Sequence, residues 1–125
     1  MNRRLALFLI LSASLSAADT QISHTDGTGA AKLIAQKQVT VLDVRTPDEF
    51  KEGHIDGAKN IDFTENDFET RVSALDKTKP YLVHCASGRR STASLDIFKK
   101  LGFTHVTHLD GGFNAWKSAG QSVAK

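Results

Sequence analysis

The stretch Tyr81-Leu82-Val83-His84-Cys85-Ala86-Ser87-Gly88-Arg89-Arg90-Ser91-Thr92 reads as a short apolar strand, a tight turn and a helix that starts near Ser91. A strand that feeds a helix through a few small residues leaves a row of backbone N–H groups without intrahelical partners, all aimed at the turn. Such a turn holds anions. The helix brings roughly half a positive charge to that end, and Arg89 and Arg90 bring two whole ones. Cys85, the only cysteine of the chain, stands inside the turn. A free thiol has a pKa of about 8.5, and settings of this kind lower it to between about 3.5 and 7.5. The thiolate is the nucleophile, so the turn predicts a reactive sulfur on which peptide hydrogens converge and which is open to solvent. The commoner fate of a cysteine is that of a small buried hydrophobe. Two adjacent arginines in a turn of small residues have no packing purpose, and beside a lone cysteine they form a candidate anion clamp.

Working outward, Val39 to Val44 is a β-branched apolar run, too short and too uniformly hydrophobic for an amphipathic helix. It predicts a central strand covered on both faces. Thr46-Pro47-Asp48-Glu49 follows as a capping box with proline at the first helical position, opening a short helix that ends by Gly53. Lys59 to Ile61 is a brief strand, and Thr64-Glu65-Asn66-Asp67 starts a helix with Phe68, Val72 and Leu75 on its buried side. Nearer the N-terminus, Thr20 to Ser23 adds an edge strand, and Asp26 caps a helix carrying Ala30, Leu33 and Ile34 on one face, away from the catalytic region. Beyond the cysteine turn, the helix presents Ile97, Phe98 and Leu101 on one face, with Lys99 and Lys100 in its last turn and Gly102 as its stop. His105 to Leu109 is another strand, and Asp110-Gly111-Gly112 leads into a last helix with Phe113 and Trp116 on one side. Strands alternating with helices at these intervals predict an α/β fold: three layers, α/β/α, around a central parallel sheet of four to five strands. Ligands of such sheets sit at the carboxyl ends of the strands, where the Cys85 turn falls.

At this point a resemblance enters. His84-Cys85-Ala86-Ser87-Gly88-Arg89-Arg90-Ser91 resembles the active-site loop of a rhodanese, a sulfurtransferase domain whose cysteine carries sulfur as a persulfide. Leu42 to Phe50, then Gly53-His54-Ile55-Asp56-Gly57-Ala58 and Asn60-Ile61, resemble the family's first signature. Gly102-Phe103, Leu109-Asp110-Gly111-Gly112 and Trp116 resemble its last. The similarity runs from about Ile22 to Gly120; Asp56 stands where the family often has proline, which alters a turn and not the chemistry. The resemblance implies a rhodanese-like fold and a two-step transfer by a thiosulfate sulfurtransferase. The Cys85 thiolate would attack the outer sulfur of thiosulfate or a similar small anionic donor, and sulfite would leave. Arg89, with Arg90 as second choice, would neutralise the donor's sulfonate. The terminal sulfur of the persulfide would lie among the amides of Ala86, Ser87, Gly88, Arg89 and Arg90, and a thiol or cyanide would take it away. Neither a metal nor an organic cofactor is implied, and the expected state is a monomer.

Other chemistries can be weighed on the same residues. Cysteine phosphatases follow His-Cys with any five residues and then an arginine that clamps phosphate. That position is Ser91 here, and Arg90 comes one residue early. Arsenate reductases of related architecture pass electrons through further thiols, which this chain lacks. Five histidines (His24, His54, His84, His105, His108) suggest a metal, but His84 points to the opposite face of its strand from Cys85, and His105 and His108 alternate badly. His84 is expected to be a packed core residue, Asp43 and Arg45 a structural polar pair, and Ser87 and Ser91 turn and cap residues. The remaining alternative is a rhodanese-like binding or regulatory module without catalysis.

The chain opens with Met1-Asn2-Arg3-Arg4, an apolar block from Leu5 to Leu11, and small residues through Ala18. This predicts a signal peptide over residues 1–18 and a mature rhodanese domain over 19–125, exported to a bacterial periplasm. The apolar block is too short for a membrane-spanning helix, which needs about 20 residues. Of 125 residues, 16 are basic and 14 acidic, and removing Arg3 and Arg4 leaves 14 of each. The near-neutral mature chain gives no ground for a nucleic-acid stripe or for stable membrane association after cleavage. One cysteine cannot form an internal disulfide, so the fold stands on its core.

Overall fold

The computed structural model describes residues 19–125. The signal segment expected over 1–18 lies outside the described residues. Five parallel strands form one sheet: β1 (Gln21–Thr25), β2 (Thr40–Asp43), β3 (Lys59–Asn60), β4 (Pro80–His84) and β5 (His105–Leu109), in the order β1-β5-β4-β2-β3. The helices between them are α1 (Gly27–Ala35), α2 (Pro47–Glu52), α3 (Phe68–Ser73), α4 (Arg89–Leu101) and α5 (Gly112–Ser118). The expected three-layer arrangement around a parallel sheet is the one found. β2 is interior and buried on both faces, but β4, which carries Cys85 at its end, takes the middle of the sheet.

Strand alternation divides the core in two. Leu42, Val44, Tyr81, Val83, Cys85 and Val106 face α3 and α4, packing with Phe68, Val72, Leu95, Phe98 and Phe103. Val41, Leu82 and Leu109 face the other way, packing with Ala30, Phe113 and Trp116 from α1 and α5. Because neighbouring residues of a strand point to opposite faces, His84 and Cys85 end on different sides. His24 and His108 share the Cys85 side with Ile22 and Val106.

Several local signals act as their sequence suggests. Asp26 caps α1 by accepting from the Gly29 N–H at 2.8 Å, and Gly102 ends α4 in the left-handed region. Two helix starts move. Residues 64–67 form turns, and α3 begins at Phe68 without a side-chain cap, because the Asp62 carboxylate accepts from the Thr64 N–H and hydroxyl and holds that segment in a turn. The second shift matters more: α4 begins at Arg89, two residues before the expected start, with Gly88 as its cap at φ 110°. The Thr92 N–H already bonds to the Gly88 carbonyl at 3.0 Å. Ser91 therefore lies inside the first turn and is not its cap. Among the described residues, no helix is long and apolar enough to cross a membrane.

Candidate active site

The loop after β4 folds over the Cys85 sulfur. The Gly88 N–H donates to Sγ at 3.1 Å and the Ser91 hydroxyl lies 3.3 Å from it. Burial alone pushes the thiol up; the Ser91 hydroxyl and the amides of Ser91, Gly88 and Arg90 outweigh it, so the thiol ionises below its ordinary value. The donors on Sγ itself are the amides of Gly88, Arg90 and Ser91 together with the Ser91 hydroxyl. The earlier helix start turns Ser91 inward. Openness to solvent is corrected. Cys85 is 1% exposed, because the loop closes over it from one side and the core packs from the other.

The loop is held from below by α5. The Phe113 and Asn114 N–H groups at the start of α5 donate to the Cys85 and Ala86 carbonyls at 2.8 and 3.0 Å. His84 Nδ1 donates to the same Cys85 carbonyl at 2.9 Å. This approach requires Gly112, at φ 61°, where a Cβ would stand 2.6 Å from both loop carbonyls. His84 is fully buried, and burial lowers its pKa and keeps it neutral. It supports the loop, as a core residue and not as a base. Asp43 and Arg45 are buried together at the end of β2, joined at 2.7 to 3.1 Å, with Arg45 also donating to the Gly53 carbonyl at 2.8 Å and lying 4.2 Å from the centre of the Phe113 ring. They are the structural pair the sequence suggests.

The two loop arginines part company. The Arg90 guanidinium meets the Glu49 carboxylate through two hydrogen bonds of 2.8 and 3.1 Å. Glu49 also closes the capping box of α2, accepting from the Thr46 N–H at 3.0 Å. The Arg90 guanidinium, ahead of the Thr46 bonds, holds the Glu49 carboxyl down at about 2. A side chain predictable as a local cap thus ties α2 to the loop. Arg89 is exposed and lines clefts on both flanks of the loop. One, of about 460 Å³, is completed by Ser87, Gly88, Thr92, His108, Asp110 and Gly111. The other, of about 410 Å³, is completed by Phe63, Ser87, Arg90 and Ala93.

Side chains beyond the loop also converge on it. His108 Nε2 lies 2.7 Å from the Ser91 oxygen, and its Nδ1 lies 2.7 Å from Asp110 Oδ1. The same Asp110 oxygen lies 2.9 Å from His24 Nδ1. Bonds from His108 and then His24 hold the Asp110 carboxyl below its usual range. His24 and His108 are paired across β1 and β5, so the grouping arises between strands and not from alternation within one. Their ligand atoms and that of Asp110 lie within 4.8 Å of one another. Ligands about 2.0–2.1 Å from a tetrahedral zinc would stand roughly 3.3 Å apart, whereas here one carboxylate oxygen serves both rings at hydrogen-bond distance.

The loop, the sheet and the signatures around them match a known pattern along most of the chain. The family model described as the rhodanese-like domain matches residues 28–119. The chain belongs to the rhodanese-like domain family. Thiosulfate sulfurtransferase GlpE of Pseudomonas aeruginosa strain LESB58 is 36% identical over 89 residues, covering 70% of this chain and 78% of that protein. Thiosulfate sulfurtransferase GlpE of Coxiella burnetii strain RSA 331 is 33% identical over 98 residues, covering 78% and 87%. The crystal structure of a rhodanese-related protein from Thermoplasma volcanium superposes with a TM-score of 0.73 at 31% identity, covering 82% of this chain and 97% of that one. Within this rhodanese-like domain, the structure gives Ser91, His108, Asp110, Gly112 and Glu49 parts around Cys85 that their local readings as cap, strand, turn and capping-box residues do not include.

Proposed function

We propose that this rhodanese-like domain is a sulfurtransferase that moves a sulfane sulfur from thiosulfate, or a similar small anion, to a thiol or cyanide. The observation that carries the reading is the convergence of N–H and O–H donors on Cys85 Sγ, which lowers its pKa and favours the nucleophilic thiolate. In the first step Sγ attacks the outer sulfur of thiosulfate, the S–S bond of the donor breaks and sulfite departs with its electrons. Arg89 receives the donor's sulfonate: it is exposed beside the loop, while the Arg90 charge is matched by Glu49. The terminal sulfur of the persulfide is held by the loop amides. In the second step an acceptor attacks that sulfur and Cys85 leaves as the thiolate, giving ping-pong kinetics. The names of the relatives support thiosulfate as donor. We also propose, from residues 1–18, that the chain is exported and processed before Asp19, and that it works as a monomer.

One observation favours a second reading, a rhodanese-like module without turnover: Cys85 is only 1% exposed. Mass spectrometry of the protein after incubation with thiosulfate separates the two. The sulfurtransferase reading expects a gain of one sulfur atom that cyanide removes and that Cys85→Ser abolishes. No gain, or an equal gain by Cys85→Ser, overturns it. Export is checked by sequencing the N-terminus of protein recovered from a periplasmic fraction.

A further inference from the structure

Ser91 and His108 join the closed-in sulfur to the protein surface by a continuous chain of polar atoms. From Cys85 Sγ the steps are 3.3 Å to Ser91 Oγ, 2.7 Å to His108 Nε2, and 2.7 Å from His108 Nδ1 to Asp110 Oδ1. His108 is buried, whereas the Asp110 and His24 side chains are 59% and 55% exposed. We propose that Cys85 exchanges its proton with His108 through the Ser91 hydroxyl, with Asp110 fixing the imidazole. This deepens the sulfurtransferase reading, since it names the base that prepares the nucleophile on which that reading rests.

The number of hydrogens available limits how these atoms can bond. A serine hydroxyl has one, and an ionised carboxylate only accepts, so His108 Nδ1 carries the hydrogen it shares with Asp110. Two arrangements of the rest satisfy these atoms. In one, Cys85 keeps its proton and points it at Ser91 Oγ, while the Ser91 hydrogen points at a bare His108 Nε2. In the other, the thiol proton has moved to Oγ, the Ser91 proton has moved to Nε2, and the hydroxyl now donates to the thiolate. The second differs from the first by two proton hops. An S–H bond and an O–H bond break, an O–H bond and an N–H bond form, and no co-reactant is needed. Its charges are a thiolate one hydroxyl away from an imidazolium.

Several groups face His108. Ser91 and Thr92 face it from α4, with Thr92 Oγ1 at 3.5 Å from Nε2. Asp110 faces it from the end of β5, and the His24 ring of β1 meets it edge-on with centroids 5.7 Å apart. His84 of β4 follows Val83, the residue paired with His108 across the sheet, Cys85 lies beyond Ser91, and Arg89 lines the same cleft. The Asp110 carboxylate is in direct contact with Nδ1, and the Arg89 guanidinium is exposed, where solvent and salt screen it. Proton exchange with bulk water then runs through Asp110 and His24, and does not require Cys85 itself to be exposed.

The test follows thiolate formation against pH by ultraviolet absorbance, which does not depend on access to the sulfur or on sulfur transfer. His108→Gln keeps a polar side chain near Ser91 but cannot accept the proton. It is expected to move the Cys85 midpoint up by about one unit, a roughly tenfold loss of thiolate at pH values below both midpoints. Ser91→Ala is expected to move it up as well, and the double variant no further than the sum of a shared chain allows, well short of additive. Ser91→Thr, which keeps the hydroxyl, is expected to restore the profile. In the unmodified protein, NMR of the His108 ring should show a step at the pH where the thiol ionises, and Ser91→Ala should remove that step. A His108→Gln profile superimposable on the parent, or a His108 ring blind to thiol ionisation, overturns the proposal. Should His108→Gln fold poorly by circular dichroism, the NMR titration of the unmodified protein decides alone. Failure of sulfur loading with these thiol profiles intact would instead count against the sulfurtransferase reading.

Discussion

At the end of β2, Asp43 and Arg45 are buried side by side, and the guanidinium is matched by the carboxylate, the Gly53 carbonyl and the Phe113 ring. One strand over, at the end of β4, Cys85 is equally buried, but its sulfur is met by N–H and O–H donors and not by an opposite charge. The two regions occupy the same edge of the sheet and differ in how their hydrogen bonds close. In the first, charge meets charge and every partner is another fixed protein group, so the arrangement can brace β2, the turn at Gly53 and α5 but has nothing left to bind. In the second, donors stand in excess around one polarisable atom, which favours added negative charge there. Burial alone does not separate structure from chemistry; the balance of donors and acceptors does.

The largest effect expected from breaking this contrast is on the structural side. Arg45→Met leaves the Asp43 carboxylate buried without its cation, and urea denaturation should show a loss of about 3–5 kcal/mol. A loss under about 1 kcal/mol would mean that the pair braces nothing. Next comes Gly112→Ala, which places a Cβ 2.6 Å from the Cys85 and Ala86 carbonyls in a left-handed backbone. It should cost about 1–3 kcal/mol and raise the Cys85 pKa, as the loop is pushed off its seat, while Arg45 stays paired. An unchanged thiolate profile would show that α5 does not shape the loop. Arg89→Ala should leave stability within about 0.5 kcal/mol, as expected of an exposed side chain, yet raise the thiosulfate KM several-fold. An unchanged KM would remove Arg89 from the donor site.

The smallest effect sharpens the contrast at the bridge between the two regions. Glu49 is held at about 2 in the folded chain against an ordinary 4.5. A depressed carboxyl binds its proton less readily when folded, so its contribution is complete above about 4.5 and is lost as pH falls towards about 2. The pair is partly exposed, and screening limits it to roughly 1 kcal/mol or less. Comparing Glu49→Gln with the parent by denaturation at several pH values in that window should show the two converging as acid is added. A constant gap would assign the effect to the capping box and not to the ion pair.

Much of the fold was readable because it rests on short-range rules. The capping box at Thr46, the cap at Asp26, the stop at Gly102 and the apolar run of β2 each depend on residues within one turn or one strand. The cysteine loop was readable for the same reason, and its signature is contiguous. The start of α4 was misplaced because Ser91 has good cap chemistry, while the left-handed Gly88 captures the cap position first. The Arg90 partner was invisible because Glu49 lies 41 residues away and already had a local explanation. The histidines were judged one strand at a time, so a contact made between β1 and β5 could not be seen.

By itself, the order of residues determined an alternating α/β chain with its reactive sulfur after an internal strand, since hydrophobic period, turn chemistry and a contiguous loop are written locally. Tertiary structure alone decided which arginine pairs with Glu49, which hydroxyl reaches the sulfur, and that His108 and Asp110 stand behind it. Those outcomes depend on side chains far apart in the chain meeting at one edge of the sheet, and on how parallel strands register, which no local pattern specifies.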